Sequence, residues 1–255
     1  MAFLLKLALV PFVIFLLSVI SKKFGDAVGG MFAGFPIISG PILLFLSIQH
    51  GLDFGQEVAS TMIVGVAGVA VYALVYSKCS QYFRWHTSLF LASLFFFTSS
   101  LMFTYIPLTA MERLFFTAIV IVICYKLIPI ENGDTKSSPI RYEMIYRILA
   151  GISLLFLVTF VSGAVGPEFS GVISSFPVTA SIIPTFIHGT QGKDGAITFL
   201  RNLTFSLFSM CIFFTYLSNE LNSLGIAAAF SSGIVFALIF QGGLVRMRTY
   251  LRRGK

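Results

Sequence analysis

Two short segments rich in glycine, proline and serine interrupt long apolar stretches of the chain, at positions 29–41 and 171–181, and a second proline follows in each, Pro41 and Pro184. A proline inside a helix removes a backbone donor and clashes with the preceding turn, so the chain unwinds beside it. Unwound backbone offers free N–H and carbonyl groups to a small molecule or ion, and the half-helix that follows directs the positive end of its dipole at the same point. The residues that would form a binding site are Phe35, Pro36, Ser39 and Gly40 in the first segment and Phe176, Pro177, Thr179 and Ser181 in the second.

The side chains of these two segments suit a ligand that has both polar and apolar groups. Ser39, Thr179 and Ser181 supply hydroxyls, while Phe35 and Phe176 would wall the site with apolar surface. The alternative interpretation is a plain proline kink, in which small residues let neighbouring helices approach closely. The occurrence of the pattern twice favours the binding site, because paired Gly/Pro-interrupted segments are typical of transporter sites.

Two further polar residues lie within apolar stretches, His188 and Asn202. A histidine there would carry a proton or contact the substrate, and an amide inside a membrane is costly enough to indicate a role. Arg201 is interpreted as an anchor at the membrane surface rather than as an anion ligand. No acidic side chain is predicted at mid-membrane, so proton coupling would depend on His188. Sodium coupling through carbonyls and hydroxyls, and transport without coupling, stay open.

The sequence shows no motif for catalysis or metal binding. It contains no HExxH, GxSxG or glycine-rich phosphate-binding motif and no CxxC pair. Cys79, Cys124 and Cys211 lie far apart in or beside apolar runs, where we expect them to pack as small apolar residues. We therefore predict that the chain is not an enzyme and uses no cofactor or metal ion. No basic groove-forming segment accompanies the net charge of +7, so we predict no nucleic acid partner.

The elements that position these residues must be membrane-spanning helices. The chain is 57% hydrophobic and 11% charged, with a mean hydropathy of +0.94, whereas soluble domains carry about 25% charged residues. Runs of 18 or more mostly apolar residues, each long enough to cross about 30 Å of hydrocarbon, recur along the chain. The predicted spans are Phe3–Ile20, Ala27–Gln49, Glu57–Ser77, Thr87–Tyr105, Thr109–Ile128, Met144–Val161, Phe169–Thr190, Thr198–Ser218 and Ser223–Val245.

The basic residues predict the orientation of these spans. With nine spans, all but Lys6 and Arg113 of the 17 Lys and Arg residues fall in connections or ends on one side. Basic residues concentrate on the cytoplasmic side of membrane proteins. We therefore place the N-terminus outside and the C-terminus in the cytoplasm of a bacterial-type inner membrane, with 129–143 as a polar cytoplasmic linker.

The second half of the chain repeats the first when the two are aligned without a gap. The identical pairs include Gly25 and Gly166, Gly30 and Gly171, Phe35-Pro36 and Phe176-Pro177, Gly51 and Gly192, and Asp53 and Asp194. The repeat covers residues 1–106 and 144–255, the second copy ending in a basic cytoplasmic tail, and residues 107–143 connect them. An odd number of spans between the copies turns the second one upside down. The predicted fold class is thus an all-α polytopic membrane protein of about nine transmembrane helices in a 4+1+4 inverted-repeat arrangement, with broken second helices (spans two and seven).

This architecture resembles that of the broken-helix transporters as a class. It predicts a secondary-type transporter of a small organic solute, anionic or amphipathic, with alternating access around a midplane site between the two broken helices. The coupling ion would be H⁺ or Na⁺, and the sequence leaves the oligomeric state open. The alternatives are a flippase for a lipid-linked substrate, which would move along phenylalanine-rich faces, and a non-transporting scaffold or subunit. A channel is disfavoured because no ring of charges or filter-like motif is present.

Overall fold

The computed structural model describes residues 2–131 and 143–253, and within these ranges the chain forms helices and no strand. The helices are α1 (Ala2–Phe24), α2 (Asp26–Ala33), α3 (Ser39–His50), α4 (Leu52–Cys79), α5 (Trp85–Thr104), α6 (Ala110–Leu127), α7 (Glu143–Gly163), α8 (Pro167–Ser174), α9 (Val178–Gln191) and α10 (Lys193–Arg253). The predicted all-α fold is confirmed. Most of the predicted linker, residues 132–142, lies outside the described residues.

Four apolar stretches are long enough to cross a membrane within the described part of the chain. They are Leu52–Cys79, Trp85–Thr104, Phe169–Gln191 and Lys193–Arg246. The third stretch includes the break between α8 and α9. These stretches agree with the predicted membrane location but give no orientation.

Helix α10 covers the last two predicted spans, and the turn between them lies at a different residue from the one predicted. A straight helix of its 61 residues would be about 90 Å long, roughly three times the thickness of a bilayer core. Gly225, with φ 74° and ψ 170°, interrupts it. We expected the turn at 219–222, but the left-handed φ of the actual turn favours a residue without a Cβ.

The centre of the fold is made by α4 and the part of α10 before Gly225, which pack against each other. Helix α4 is buried along nearly all of its apolar length, as expected for a helix that is hydrophobic on every face. Helix α2 packs on α10, and α8 packs on α4. Large apolar side chains remain exposed on α5, α6 and α7, among them Phe90, Phe115 and Phe160. The apolar outer surface is therefore on the peripheral helices.

Helix α6 packs against both central helices, α4 and α10. An arginine forms hydrogen bonds near each end of α6. Near its first turn Arg113 donates to the Ser60 hydroxyl of α4 at 3.0 Å. At its last turn Arg201 of α10 donates to the carbonyl oxygens of Tyr125 (2.9 Å) and Ile128 (2.5 Å). The carbonyls of a last helical turn lack helical partners. Arg201 thus stabilises the end of α6.

Candidate functional site

Each of the two Gly/Pro-rich segments contains one break in its helix. Helix α2 ends at Ala33 and α3 begins at Ser39, while α8 ends at Ser174 and α9 begins at Val178. Pro41 lies in the first turn of α3, where a missing N–H costs nothing. Pro184 lies inside α9, which continues past it. The second proline of each segment therefore makes no additional break.

The two breaks have the same backbone hydrogen bonds. In the first, Ile37 N donates to Phe35 O at 2.7 Å, and in the second Val178 N donates to Phe176 O at 2.8 Å. Further bonds recur at the residues that the sequence repeat aligns. At the first break Gly29 N donates to Gly25 O (3.1 Å), Gly34 N to Gly30 O (3.2 Å), Phe35 N to Phe32 O (3.2 Å) and Gly40 N to Pro36 O (3.0 Å). At the second break the equivalent bonds are Ser170 N to Gly166 O (2.9 Å), Ser175 N to Gly171 O (3.1 Å), Phe176 N to Ile173 O (3.0 Å) and Ser181 N to Pro177 O (2.7 Å).

The two breaks meet at one small cavity, which we call the central cavity. Its volume is about 30 Å³, room for about two water molecules. Helices α1, α4 and α10 close the space around the breaks. The lining residues are Leu17, Ala33, Phe35, Ile37, Ile38, Ser39, Val69, Ser175, Phe176, Pro177, Val178, Thr179, Ala180, Leu203, Leu207 and Met210.

Glycines let the half-helices lie directly on the central helices. A Cβ added at Gly30 of α2 would lie 2.1 Å from the Phe199 carbonyl oxygen of α10. A Cβ added at Gly171 of α8 would lie 2.5 Å from the Thr61 Cβ of α4. Real Cβ atoms do not approach so closely, so these positions require glycine.

A polar side chain from the C-terminal part of α10 binds the end of α2. Gln241 Nε2 donates to the Met31 carbonyl oxygen at 3.2 Å and to the Ser206 hydroxyl at 2.9 Å. The Ser209 hydroxyl donates to Gln241 Oε1. Gln241 therefore gives a carbonyl in the last turn of α2 a partner where the helix ends.

A second, much larger cavity lies between α5, α7 and α9, and we call it the lateral cavity. Its volume is about 770 Å³, within the range of pockets that hold small organic ligands. It is lined by Trp85, Leu89, Ser93, Ala150, Ser153, Leu154, Leu157, Phe176, Ser181, Ile182, Thr185, Phe186, Gly189 and Thr190. Apolar residues predominate, and none of these side chains is charged.

Phe176 lines both cavities. Its ring stacks on Phe97 at 5.4 Å between centroids and meets Phe96 edge-on at 5.3 Å. Both partners belong to α5. An aromatic group at the second break thus separates the central cavity from the lateral cavity.

A row of hydroxyl groups follows α9 along α4. The Tyr76 hydroxyl lies 3.3 Å from His188 Nδ1, and Thr185 is also a neighbour of this hydroxyl. Ser181 is a neighbour of the Tyr72 hydroxyl. The hydroxyls of Tyr72 and Thr185 are buried and have no hydrogen-bond partner. These side chains form a polar strip on the α4 side of α9, next to the lateral cavity.

The structure places the predicted site residues in different surroundings. Phe35, Ser39, Phe176, Pro177 and Thr179 line the central cavity, and Phe176 and Ser181 line the lateral cavity. Pro36 and Gly40 lie beside each other at the first break, with Gly40 facing the Phe213 ring. His188 lies against Tyr76, away from the central cavity. Asn202 donates to the Thr198 carbonyl oxygen at 2.6 Å and lies against Gly30.

Several residues of the lateral cavity and of the polar strip beside it were not predicted from the sequence. Tyr72 and Tyr76 stand four positions apart in an apolar span, which places them on one helix face and was a usable signal. Thr185 was also missed, although it lies four positions after Ser181 and three before His188, both of which were predicted. Trp85 reaches the lateral cavity from another helix, and no local pattern indicates this.

Comparison with known proteins finds no matching family, no similar characterised protein and no similar solved structure.

Proposed function

We propose that this protein is a secondary-type membrane transporter of a small organic solute, with alternating access around the central cavity. The observation that supports it most is the meeting of two helix breaks, with matching hydrogen bonds, at one cavity. Breaks inside apolar segments expose backbone polar groups, which a membrane tolerates where the chain is buried or lines a cavity. Paired breaks of this kind form the substrate and ion sites of many transporters.

We further propose that the two halves of the chain form an inverted repeat in a 4+1+4 arrangement. Two reciprocal contacts support a two-fold relation between them. Gly30 packs on Asn202, and their repeat partners Gly171 and Thr61 also pack on each other.

The second reciprocal contact exchanges glycine and serine. A Cβ at Gly34 would lie 2.5 Å from the Ser206 Cβ, and one at Gly65 would lie 2.2 Å from the Ser175 hydroxyl oxygen. Ser175 is the repeat partner of Gly34, and Ser206 is the repeat partner of Gly65. In the first contact the glycine lies at the break and the serine on α10. In the second contact the glycine lies on α4 and the serine at the break.

In this proposal the conformation described here is an occluded one. The central cavity holds water-sized groups or an ion, so an organic solute binds after α2–α3 or α8–α9 moves away from the central helices. Two inverted halves exchange conformations and so expose one site to either side. Na⁺ held by Ser39, Thr179 and the carbonyls of the breaks, or H⁺ carried by His188, would drive the exchange.

The proposed location is a bacterial-type inner membrane, with the N-terminus outside and the C-terminus in the cytoplasm. The apolar outer faces of α5, α6 and α7 and the asymmetry of the basic residues support it.

The accessibility of single cysteines tests the proposal before any substrate is known. Thr179→Cys and Ser39→Cys are made in a chain whose three native cysteines are replaced by serine or alanine. A membrane-impermeant thiol reagent is then added to right-side-out and to inside-out vesicles. Alternating access predicts that each cysteine is labelled from both sides, at rates that change when ions or candidate solutes are added.

Two control cysteines calibrate this experiment. Ala70→Cys, fully buried in α4, should not react from either side, and Gln81→Cys, after the end of α4, should react from one side only. If Thr179→Cys behaves like Ala70→Cys under every condition, the central cavity does not open and the scaffold interpretation replaces the transporter.

A flippase for a lipid-linked substrate is the second candidate, and the lateral cavity favours it. The cavity is large, apolar and separated from the central cavity by the Phe176 ring. A lipid-linked substrate would place its chain in the lateral cavity and its head near the breaks. Labelling of Thr179→Cys that is slowed by long-chain amphiphiles, but not by water-soluble metabolites, would select this candidate.

A further inference from the structure

The half-helix that follows each break begins with two backbone N–H groups that have no hydrogen-bond partner. At the start of α3 these groups belong to Ile38 and Ser39, and no side chain caps the helix. At the start of α9 they belong to Thr179 and Ala180, again without a side-chain cap. Within the described part of the chain, none of the four N–H groups donates a hydrogen bond. Each pair occupies the same two positions of the sequence repeat.

These four residues all line the central cavity. Ile38, Ser39 and Ala180 are buried, and Thr179 is half-buried. A buried backbone N–H without a partner costs about as much free energy as a lost hydrogen bond. The starts of α3 and α9 also direct the positive ends of two helix dipoles at the cavity. Both features favour a hydrogen-bond acceptor with negative charge inside it.

The side chain of Ser39 adds an independent donor. Ser39 is 6% exposed and lines the central cavity. Among the described residues its hydroxyl has no hydrogen-bond partner. The hydroxyls of Tyr72 and Thr185 are sealed by their neighbours, whereas that of Ser39 keeps accessible surface. Ser181 differs again, because its hydroxyl donates to the Pro177 carbonyl oxygen of its own helix. The Ser39 hydroxyl is therefore available to a group inside the cavity.

The carbonyl oxygens at the ends of α2 and α8, in contrast, already accept hydrogen bonds. Donors beyond the last residue of each helix bind the carbonyls of Gly30, Met31, Phe32, Gly171, Val172 and Ile173. No charged side chain is present among the residues that line the central cavity. The cavity thus offers free donors from two helices and no acidic side chain, which favours an anion over a cation.

We propose that the central cavity binds the carboxylate group of the transported solute, between the starts of α3 and α9. The carboxylate oxygens would accept hydrogen bonds from the free N–H groups and from the Ser39 hydroxyl. The cavity volume of about 30 Å³ is the space of about two water molecules, comparable with one carboxylate group. The proposal rests on the proposed transport function and names the chemical class of the solute. A coupling Na⁺ would bind next to the carboxylate, which supplies the negative charge that the lining side chains lack.

Acids and amides of matched shape test the charge of the ligand before the solute is known. The full-length protein in detergent is titrated with choline acetate, lactate or benzoate, each replacing choline chloride at constant ionic strength. Acetamide, lactamide and benzamide are the neutral counterparts. At least one acid should raise the melting temperature saturably, by about 2 °C or more, because it binds only the folded state, and its amide should not. The proposal is overturned if no acid stabilises the protein more than chloride and more than its own amide.

Substitutions at Ser39 connect this effect to the cavity. Ser39→Ala removes one donor and should weaken binding of the stabilising acid about tenfold, the usual effect of losing a hydrogen bond to a charged group. Ser39→Asp places a carboxylate at the start of α3 and should abolish the response to the acid. Without ligand and without Na⁺, Ser39→Asp should melt at a higher temperature than the isosteric Ser39→Asn. An equal or lower melting temperature would contradict a site for negative charge.

Ser77 provides the matched control for these substitutions. It is fully buried near the C-terminal end of α4, and its hydroxyl has no hydrogen-bond partner. The dipole of α4 opposes negative charge at that end, so Ser77→Asp should melt at a lower temperature than Ser77→Asn. If aspartate stabilised the protein relative to asparagine at both positions, the effect would be a general one and the proposal would fail.

This experiment and the cysteine-labelling experiment fail in different ways. An acid that stabilises the wild type but not Ser39→Asp, in a protein whose Thr179→Cys is never labelled, would support the carboxylate site and contradict transport. Labelling of Thr179→Cys from both sides, without any difference between acids and amides, would support transport and overturn the carboxylate site.

Discussion

The ring of Phe176 lies nearly parallel to the ring of Phe97, with centroids 5.4 Å apart and planes 16° from parallel. Phe176 belongs to the second helix break, whereas Phe97 belongs to a peripheral helix and is 38% exposed. This pair connects the outer surface of the protein with the central cavity. It makes the position of Phe176 sensitive to a residue outside the site.

Removing the Phe97 ring should open a path between the two cavities. We expect Phe97→Ala to free one face of Phe176 and to raise the rate at which a lipid-soluble maleimide labels Thr179→Cys, by about tenfold or more. Phe90→Ala is the matched control, because Phe90 lies on the same helix and is exposed away from the cavities. Equal rates in the two variants would show that Phe176 does not close the path.

Gly30 should tolerate no side chain. A Cβ there would lie 2.1 Å from a backbone oxygen of α10, and backbone cannot move aside like a flexible side chain. We expect Gly30→Ala to lower the free energy of unfolding by about 1–3 kcal/mol, as overpacking of a core does. Thermal unfolding in detergent measures the loss. Gly242→Ala, in open space, should leave the melting temperature unchanged or raise it slightly, because alanine favours helix.

The helices and their two breaks could be predicted because each depends on neighbours in sequence. Long apolar runs predict helices, and Phe35-Pro36 and Phe176-Pro177 mark the points where α2 and α8 end. The local sequence does not show whether Pro41 or Pro184 also breaks its helix, because this depends on the place of the proline in a turn and on packing.

The lateral cavity could not be predicted, because it depends on the separation of helices that are distant in sequence. Trp85, Ala150 and Thr185 belong to three helices and show no shared pattern. His188 and Asn202 were selected for their polarity alone, and their neighbours, Tyr76 for His188 and Gly30 for Asn202, lie on helices distant in sequence. A polar residue within an apolar span can be recognised from the sequence. The group that contacts it, and so offsets the free-energy cost of burying it, cannot.

Arg201 should stabilise α6 through geometry as well as charge. It donates to two carbonyls, and its guanidinium lies over the Tyr125 ring at 4.3 Å. We expect Arg201→Gln to lower the free energy of unfolding by about 1–3 kcal/mol, the usual effect of losing charged hydrogen bonds. Arg201→Lys should recover only part of it, because an ammonium group cannot reproduce the planar fork. An equal loss in Arg246→Gln, on the exposed surface, would point to a general charge effect.

The proposed orientation predicts which face of the membrane each connection occupies. A cysteine at position 136 should be labelled by an impermeant reagent in inside-out vesicles but not in intact cells. A cysteine replacing the exposed Tyr105 should show the opposite pattern, because one predicted span separates the two positions. Labelling of position 136 in intact cells would reverse the orientation, and labelling of both positions from the same side would contradict the number of spans.

The exchanged glycine and serine contacts provide the sharpest test of the inverted repeat. Gly65 faces Ser175 in one contact, and Ser206 faces Gly34 in the other. If the two contacts are equivalent, position 65 should accept the serine found at position 206, and position 175 should accept the glycine found at position 34. Gly65→Ser alone should lower the free energy of unfolding by about 1–3 kcal/mol, because its Cβ collides with the Ser175 side chain.

Adding Ser175→Gly to Gly65→Ser should restore most of this loss, since the pair then has the serine–glycine order of Ser206 and Gly34. Ser175 is the C-cap of α8 with φ −82°, and glycine is well tolerated at helix ends, so Ser175→Gly alone should cost little. A coupling energy of about 0.5–3 kcal/mol in this double-mutant cycle would be in the range of residues in contact. Additive losses would mean that the two contacts are not equivalent, and the two-fold relation would lose its main support.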